Sequence, residues 1–348
     1  MQLPWKTKGI VLTAPFSRDV DDTVRFIDEY LAKHGCNLLV LQVRYRYQFK
    51  RHPECQGYDP LSEADIKKIV AVCRKNNIKL VPKINAAGHQ SGLPNTPDDS
   101  ILHGHSVAMN EPIESAQMCI RDGLLRAYPD FDEQRGVDRV KYSRNICFSN
   151  PLVKIILFDL MDELLEVFEA DTIHVGCDEV FNIGLCPECS KKTNDVLFGD
   201  WVNAIYDHVS AKGAKVMIWS DRFLNSEETG YDAYQASQNG TDKCIDNVPK
   251  DLLICDWHYE GSEEYKSVDV FAEHGFKMLL SPSFYSTEYV MQFINYAKAH
   301  DKGHIEGVLA TTWCSSGELA RFILDDVRRE PAWRAIDGSR EVLKLIFE

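Results

Sequence analysis

The stretch Thr172-Ile173-His174-Val175-Gly176-Cys177-Asp178-Glu179-Val180 decides how this chain is read. Its first residues, with Thr172, Ile173 and Val175 β-branched, form a short apolar run that reads as a buried strand. Glycine ends the run, and two adjacent carboxylates follow at once. An acid pair at the carboxyl end of a strand sits where α/β barrels keep their chemistry. Neighbouring carboxylates do not ionise independently, so one of them holds its proton toward neutral pH. Asp-Glu also occurs at Asp28-Glu29, Asp132-Glu133 and Asp162-Glu163. Only Asp178-Glu179 follows a buried strand, and that context singles it out.

Outward from this strand, short apolar runs alternate with amphipathic stretches. Strands are expected at Gly9–Thr13, Asn37–Val43, Lys79–Ile84, Thr172–Val175, Lys215–Trp219, Leu252–Cys255, Lys277–Ser281 and Gly307–Thr312. Helical patterns cover Val20–His34, Ser62–Asn76, Pro151–Phe168, Asp195–Lys212, Glu263–His274, Thr287–His300 and a region from Glu318. Ser62 with Asp65, and Asn150 before Pro151, mark helix starts. The fifth helix, within Tyr231–Asn247, has the poorest pattern, and Ser115–Tyr128 suits an extra helix. Eight β/α alternations predict an α/β fold, a (β/α)8 TIM barrel, as a single domain over residues 1–348. Three connections are long, Arg44–Leu61, Asn85–Asn150 and Gly176–Asn194, and long loops on one rim build a pocket.

Composition narrows the partners. A net charge of −14 argues against nucleic acid and anionic membrane. The longest apolar runs fall short of a membrane span. The segment from Met1 to Lys8 lacks the apolar core of a signal peptide, which reads as cytoplasmic, with export the alternative for a trimmed precursor. Eleven scattered cysteines suit a reducing compartment. Cys186-Pro-Glu-Cys189 is a CxxC motif with no matching CxxC or HxxxH after it, so structural thiols are expected there and no metal or other cofactor. His103-Gly-His105 is an isolated pair in a polar loop.

His174-x-Gly176-x-Asp178-Glu179 resembles the signature of family-20 glycoside hydrolases, the β-N-acetylhexosaminidases. Val81-Pro-Lys-Ile-Asn-Ala-Ala-Gly-His89, Ile146-Cys-Phe-Ser-Asn-Pro151 and Met217-Ile-Trp-Ser-Asp221 resemble further segments of that family, in order. The arrangement is most similar to the compact, hexosaminidase D-like branch, without the usual amino-terminal accessory domain. The resemblance implies an exo-acting enzyme that retains configuration by using the substrate's own acetamido oxygen as nucleophile. It implies Glu179 as general acid and base and Asp178 as the partner of the acetamido N–H. It further implies a sugar substrate, a possible homodimer, and a pocket that includes Tyr285, His89 and Glu318.

Trp219, Trp257 and Trp313 fall at predicted strand ends, where they either stack on a sugar or cap the barrel core. His174 is either a satisfied core histidine or a support behind the pair. The pattern departs from the family in three places. Lys8 or Lys6 stands near the position of a hydroxyl-gripping arginine, Asn85 replaces an acid, and Glu318 follows Trp313 by five residues. Arg44-Tyr-Arg-Tyr47 either takes over hydroxyl recognition or is a polar loop. Two other classes stay open: a catalytically silent N-acetylhexosamine-binding barrel, and a metal-dependent hydrolase built on His103, His105 and the CxxC.

Overall fold

The structure is a computed structural model that describes residues 3–91, 121–136, 142–282, 284, 286–327 and 334–348. Eight parallel strands close into a barrel in sequence order. They are β1 (Thr7–Thr13), β2 (Leu38–Gln42), β3 (Lys79–Lys83), β4 (Thr172–His174), β5 (Lys215–Trp219), β6 (Leu253–His258), β7 (Lys277–Pro282) and β8 (Ile305–Ser315). All eight fall where the apolar runs predict them. Strand alternation sends residues to two separate cores. Val11, Val40, Val81, Met217, Cys255, Leu279 and Leu309 pack together inside the barrel. Their neighbours Ile10, Leu12, Leu39, Leu41, Ile173, Ile218, Ile254 and Val308 pack outward against the helices. Each such aliphatic side chain contributes about 1.5–3 kcal/mol by leaving water.

The helices begin where local chemistry tells them to. Ser62 and Asp65 form a reciprocal capping box ahead of the helix Glu63–Lys75. Asn150 accepts the Leu152 N–H at 3.0 Å, and Pro151 opens the helix that runs to Phe168. Two expectations change. The helix sought within Tyr231–Asn247 is only a run of 3₁₀ turns, Thr241–Asn247, because Gly240 takes a left-handed φ of 85° and the stretch before it folds around Arg222. In the 115–128 segment the described helix is short, Gly123–Ala127.

β4 is only three residues long, and its sole pairing with β3 is Lys83 with His174. The chain leaves the sheet early because Gly176 and Cys177 both take positive φ, 69° and 65°. That early exit presents the next two residues, Asp178 and Glu179, at the carboxyl rim.

Candidate active site

Glu179 itself has a φ of 50°, which costs a non-glycine residue on the order of 1 kcal/mol. Its backbone N–H donates to Asp221 Oδ2 at 2.8 Å, just past the end of β5. The same Asp221 oxygen accepts from Arg222 Nε at 2.6 Å, and its other oxygen accepts from Trp257 Nε1 at 3.1 Å. One buried carboxylate therefore fixes the backbone of the acid pair and one wall of the pocket together.

The connection after β3 closes over the pair from the other side. A Cβ on Gly88 would stand 2.6 Å from the Asp178 carbonyl oxygen, so only glycine permits this approach. The next residue, His89, then puts Nε2 at 2.8 Å from a Glu179 carboxylate oxygen and 3.0 Å from one of Asp178. Tyr142 packs edge-on against the His89 ring, with centroids 5.5 Å apart, and its hydroxyl hydrogen-bonds Glu179.

Burial pushes the Glu179 carboxyl up from its ordinary value; contact with His89 opposes this, while Asp178 and Asp221 add to it. Burial works against charging His89, yet the Asp178 and Glu179 carboxylates outweigh it and raise the imidazole to about 9. The two acids thus favour the protonated imidazole, which sits between them. Beneath them, two titratable side chains sit buried at the end of the apolar barrel interior. Burial lowers the Lys83 ammonium to about 8, with Nζ donating to Gln42 at 2.8 Å and Asn85 at 2.7 Å. Burial, with Lys83 nearby, keeps His174 well below its ordinary value, and its Nδ1 accepts the Gly176 N–H at 3.0 Å.

A cavity of about 360 Å³ opens above the pair, lined by Asp178, Glu179, Tyr142, Trp219, Trp257 and Trp313, with Tyr234, Tyr259, Asp232, Gln235, Glu260 and Tyr289 around the mouth. Trp219 and Trp313 meet edge to face at 6.1 Å. Trp313 Nε1 donates to the Tyr259 hydroxyl at 2.8 Å. The Trp219 indole N–H has no partner among the described residues. The volume matches one small organic ring system rather than an extended polymer groove. Its aromatic side chains suit apolar ring faces, and its polar lining residues are Asp178, Glu179, Asp232, Gln235 and Glu260.

Most of the expected residues meet here. Asp178, Glu179, Trp219, Trp257 and Trp313 line one space; His89 is not among the lining residues but contacts both acids, and His174 stacks obliquely on Trp219 at 4.4 Å. Two expectations are corrected. Lys8 lies at the amino end of β1, five residues before Thr13, which at a strand's rise puts it roughly 16 Å from the pocket rim. Glu318 is buried in the first turn of the helix Ser316–Asp325 and is not among the lining residues. Tyr285, His103 and His105 lie outside the described residues. Arg44 turns away from the cavity to hold the backbone carbonyls of His89 and Ser91, each at 3.2 Å, and Arg46 binds the carbonyls of Ala14 and Pro15, so this stretch braces loops.

Sequence reading missed Asp221, Tyr142, Tyr234 and Tyr259. Tyr259 had a usable signal, because it follows Trp257 by two and shares its side of the extended chain. The other three depend on loop paths that carry no periodicity. The CxxC has neighbours that its own spacing does not reveal: Cys147 and Glu133 come from earlier in the chain to stand beside Cys186 and Cys189.

The fold and site together define a (β/α)8 barrel with a buried, histidine-bridged acid pair at its carboxyl rim. The catalytic-domain model of glycosyl hydrolase family 20 matches residues 39–315, and the chain belongs to that family. Among curated relatives, a lacto-N-biosidase of Bifidobacterium bifidum is 22% identical over 278 residues, covering 76% of this chain and 20% of the relative. A β-hexosaminidase of Emericella nidulans is 23% identical over 235 residues, covering 63% of this chain and 32% of the relative. The chain thus spans a third or less of these two relatives. Among solved structures, a β-N-acetylhexosaminidase from Bacteroides fragilis superposes with a TM-score of 0.60 at 17% identity, covering 96% of this chain and 66% of that one. Dispersin B superposes with a TM-score of 0.52 at 16% identity over 98% of both chains. At these identities the superpositions show the shared barrel.

Proposed function

We propose that this protein is an exo-β-N-acetylhexosaminidase, hydrolysing terminal N-acetyl-β-hexosaminides with retention through an oxazolinium intermediate. The observation that carries the proposal is the convergence of Asp178 and Glu179 on one imidazole nitrogen beneath an aromatic cavity of single-sugar size. Because both acids reach the same nitrogen, they act from one side of the cavity. That geometry suits a substrate that brings its own nucleophile, as this family's substrates do.

In the reaction, Glu179 protonates the departing glycosidic oxygen, and its raised pKa keeps that proton available. The acetamido carbonyl oxygen attacks the anomeric carbon as that bond breaks. Asp178 holds the acetamido N–H and stabilises the positive charge that develops there. Glu179 then takes a proton from water, which opens the oxazolinium ring and restores the acetamide. Trp219, Trp257 and Trp313 enclose the acetamido methyl and the sugar's apolar face. With Lys8 remote, recognition of the sugar hydroxyls passes to Asp232, Gln235 and Glu260 at the mouth.

A panel of aryl glycosides that varies only at C2 and C4 tests this reading. The 2-acetamido substrates should release aryl alcohol far faster than their 2-hydroxy counterparts, and a thiazoline mimic of the oxazolinium should inhibit competitively. Equal rates with and without the acetamide would remove the substrate-assisted mechanism. Saturable sugar binding without turnover would leave a binding barrel instead.

A further inference from the structure

Away from the cavity, four buried side chains from distant parts of the chain converge. The thiol of Cys147 lies 3.5 Å from that of Cys186 and 3.7 Å from that of Cys189. A carboxylate oxygen of Glu133 and the three sulfurs all lie within 4.8 Å of one another. None of the three cysteines is in a disulfide. Tetrahedral zinc with Zn–S bonds of about 2.3 Å separates its sulfurs by about 3.8 Å, close to the two spacings seen here.

The surroundings are those of a built site. One Glu133 oxygen accepts the N–H groups of Leu185 at 2.6 Å and Cys186 at 3.0 Å, which orients the carboxylate. Its other oxygen, Oε2, is buried and accepts from no N–H or O–H group among the described residues, and the carboxylate also meets the Cys189 thiol. The Cys189 N–H donates to Cys186 Sγ at 3.4 Å, which shapes the CxxC turn. Ser149 Oγ lies 3.3 Å from Cys189 Sγ, and the Arg135 guanidinium beside Cys147 offsets the negative charge of a thiolate set.

We propose that Cys147, Cys186, Cys189 and Glu133 bind one zinc ion. Three thiolates and one carboxylate close the tetrahedron, so the site is structural rather than hydrolytic. On binding, the three thiols release their protons to solvent, and the ion neutralises two of the four resulting negative charges. Its position gives it a purpose. Glu133 and Cys147 belong to the connection between β3 and the helix Pro151–Phe168, which also carries His89 and Tyr142. Cys186 and Cys189 belong to the connection after β4, which carries Asp178 and Glu179. The ion therefore pins together the two loops whose contact makes the acid pair, and it touches no reacting atom.

Metal content tests this independently of any enzymatic activity. Protein made in zinc-supplemented medium and purified under reducing conditions without chelator should contain about one zinc per chain. The double variant Cys186→Ser/Cys189→Ser should lose it, while Cys36→Ser, a buried thiol elsewhere, should keep it. Should the double variant not fold, wild-type protein stripped of metal and given cobalt(II) provides the second measurement. It should develop thiolate-to-cobalt charge transfer in the near ultraviolet and strong tetrahedral visible bands, and its melting temperature should rise by several degrees. Wild-type protein without stoichiometric zinc and without that spectrum would overturn the proposal. So would peptide mapping that finds a disulfide among the three cysteines in freshly prepared, unreduced protein.

Discussion

Asp221 accepts the backbone N–H of Glu179 at 2.8 Å, and through this bond a residue beyond β5 fixes the conformation of the proposed acid after β4. The bond offsets the strain of a φ of 50°, and the carboxylate has two further donors, Arg222 and Trp257. Asp221→Asn keeps the shape but sets an amide N–H against one of these donors. We expect kcat on an aryl N-acetylhexosaminide to fall about 10–100-fold with a smaller change in KM, as a 1 Å shift of a reacting group does. Steady-state kinetics would check this. An unchanged kcat would mean that the Glu179 backbone does not need this anchor.

His89 links the site to pH. Its folded-state pKa of about 9 exceeds the ordinary 6.5, so the protonated form is favoured in the folded state. The resulting stability is fully present below about pH 6.5 and is lost as pH rises through about 9. Over that window the loss is on the order of 3 kcal/mol for a group this buried. Thermal melts of wild type and His89→Gln between these pH values should therefore differ in slope, with the variant flatter. A variant that matched the wild-type slope would show that other groups carry the dependence.

The barrel was legible in the sequence because parallel strands are buried on both faces. Ile10-Val-Leu12 and Leu39-Val-Leu41 read as continuous apolar runs, whichever core each residue enters. The acid pair and the three tryptophans were legible for a related reason, since each sits at a strand end that the apolar pattern locates. Asp221 ends the segment Met217-Ile-Trp-Ser-Asp221, but Ser-Asp is an ordinary turn dipeptide, and nothing local says that it grips a backbone 42 residues earlier. Tyr142 and Cys147 reach their partners through the long third connection, whose path no periodicity encodes. Lys8 was misplaced because nearness to the first strand does not say which end of it a side chain occupies.

Gly88 offers a steric test. An alanine methyl there would press on the Asp178 carbonyl oxygen at 2.6 Å, and that backbone is held on its far side by the Glu179–Asp221 bond. The loop after β3 must retreat, taking His89 with it. Gly88→Ala should cost about 1–3 kcal/mol, read as a lower melting temperature. It should also weaken the pH dependence of stability, because His89 loses its carboxylates. A melting temperature and pH slope equal to wild type would show that the loop yields without cost.

The two acids should separate by leaving group. Glu179 is the proton donor in the proposed mechanism, so its importance scales with how poorly the departing oxygen carries negative charge. Glu179→Gln should lower kcat/KM by about 10²–10⁴-fold on an alkyl N-acetylhexosaminide, and by much less on a nitrophenyl one, whose phenolate leaves unaided. Asp178 acts on the acetamido group, which is the same in both substrates. Asp178→Asn should therefore lower both rates by a similar factor, about 10²–10³-fold, the scale of losing one electrostatic partner of a developing charge. Measuring both variants on both substrates gives four ratios. A Glu179→Gln loss that depends on the leaving group, beside an Asp178→Asn loss that does not, would support the assigned roles; equal sensitivity in the two variants would mean that Asp178 and Glu179 share one task.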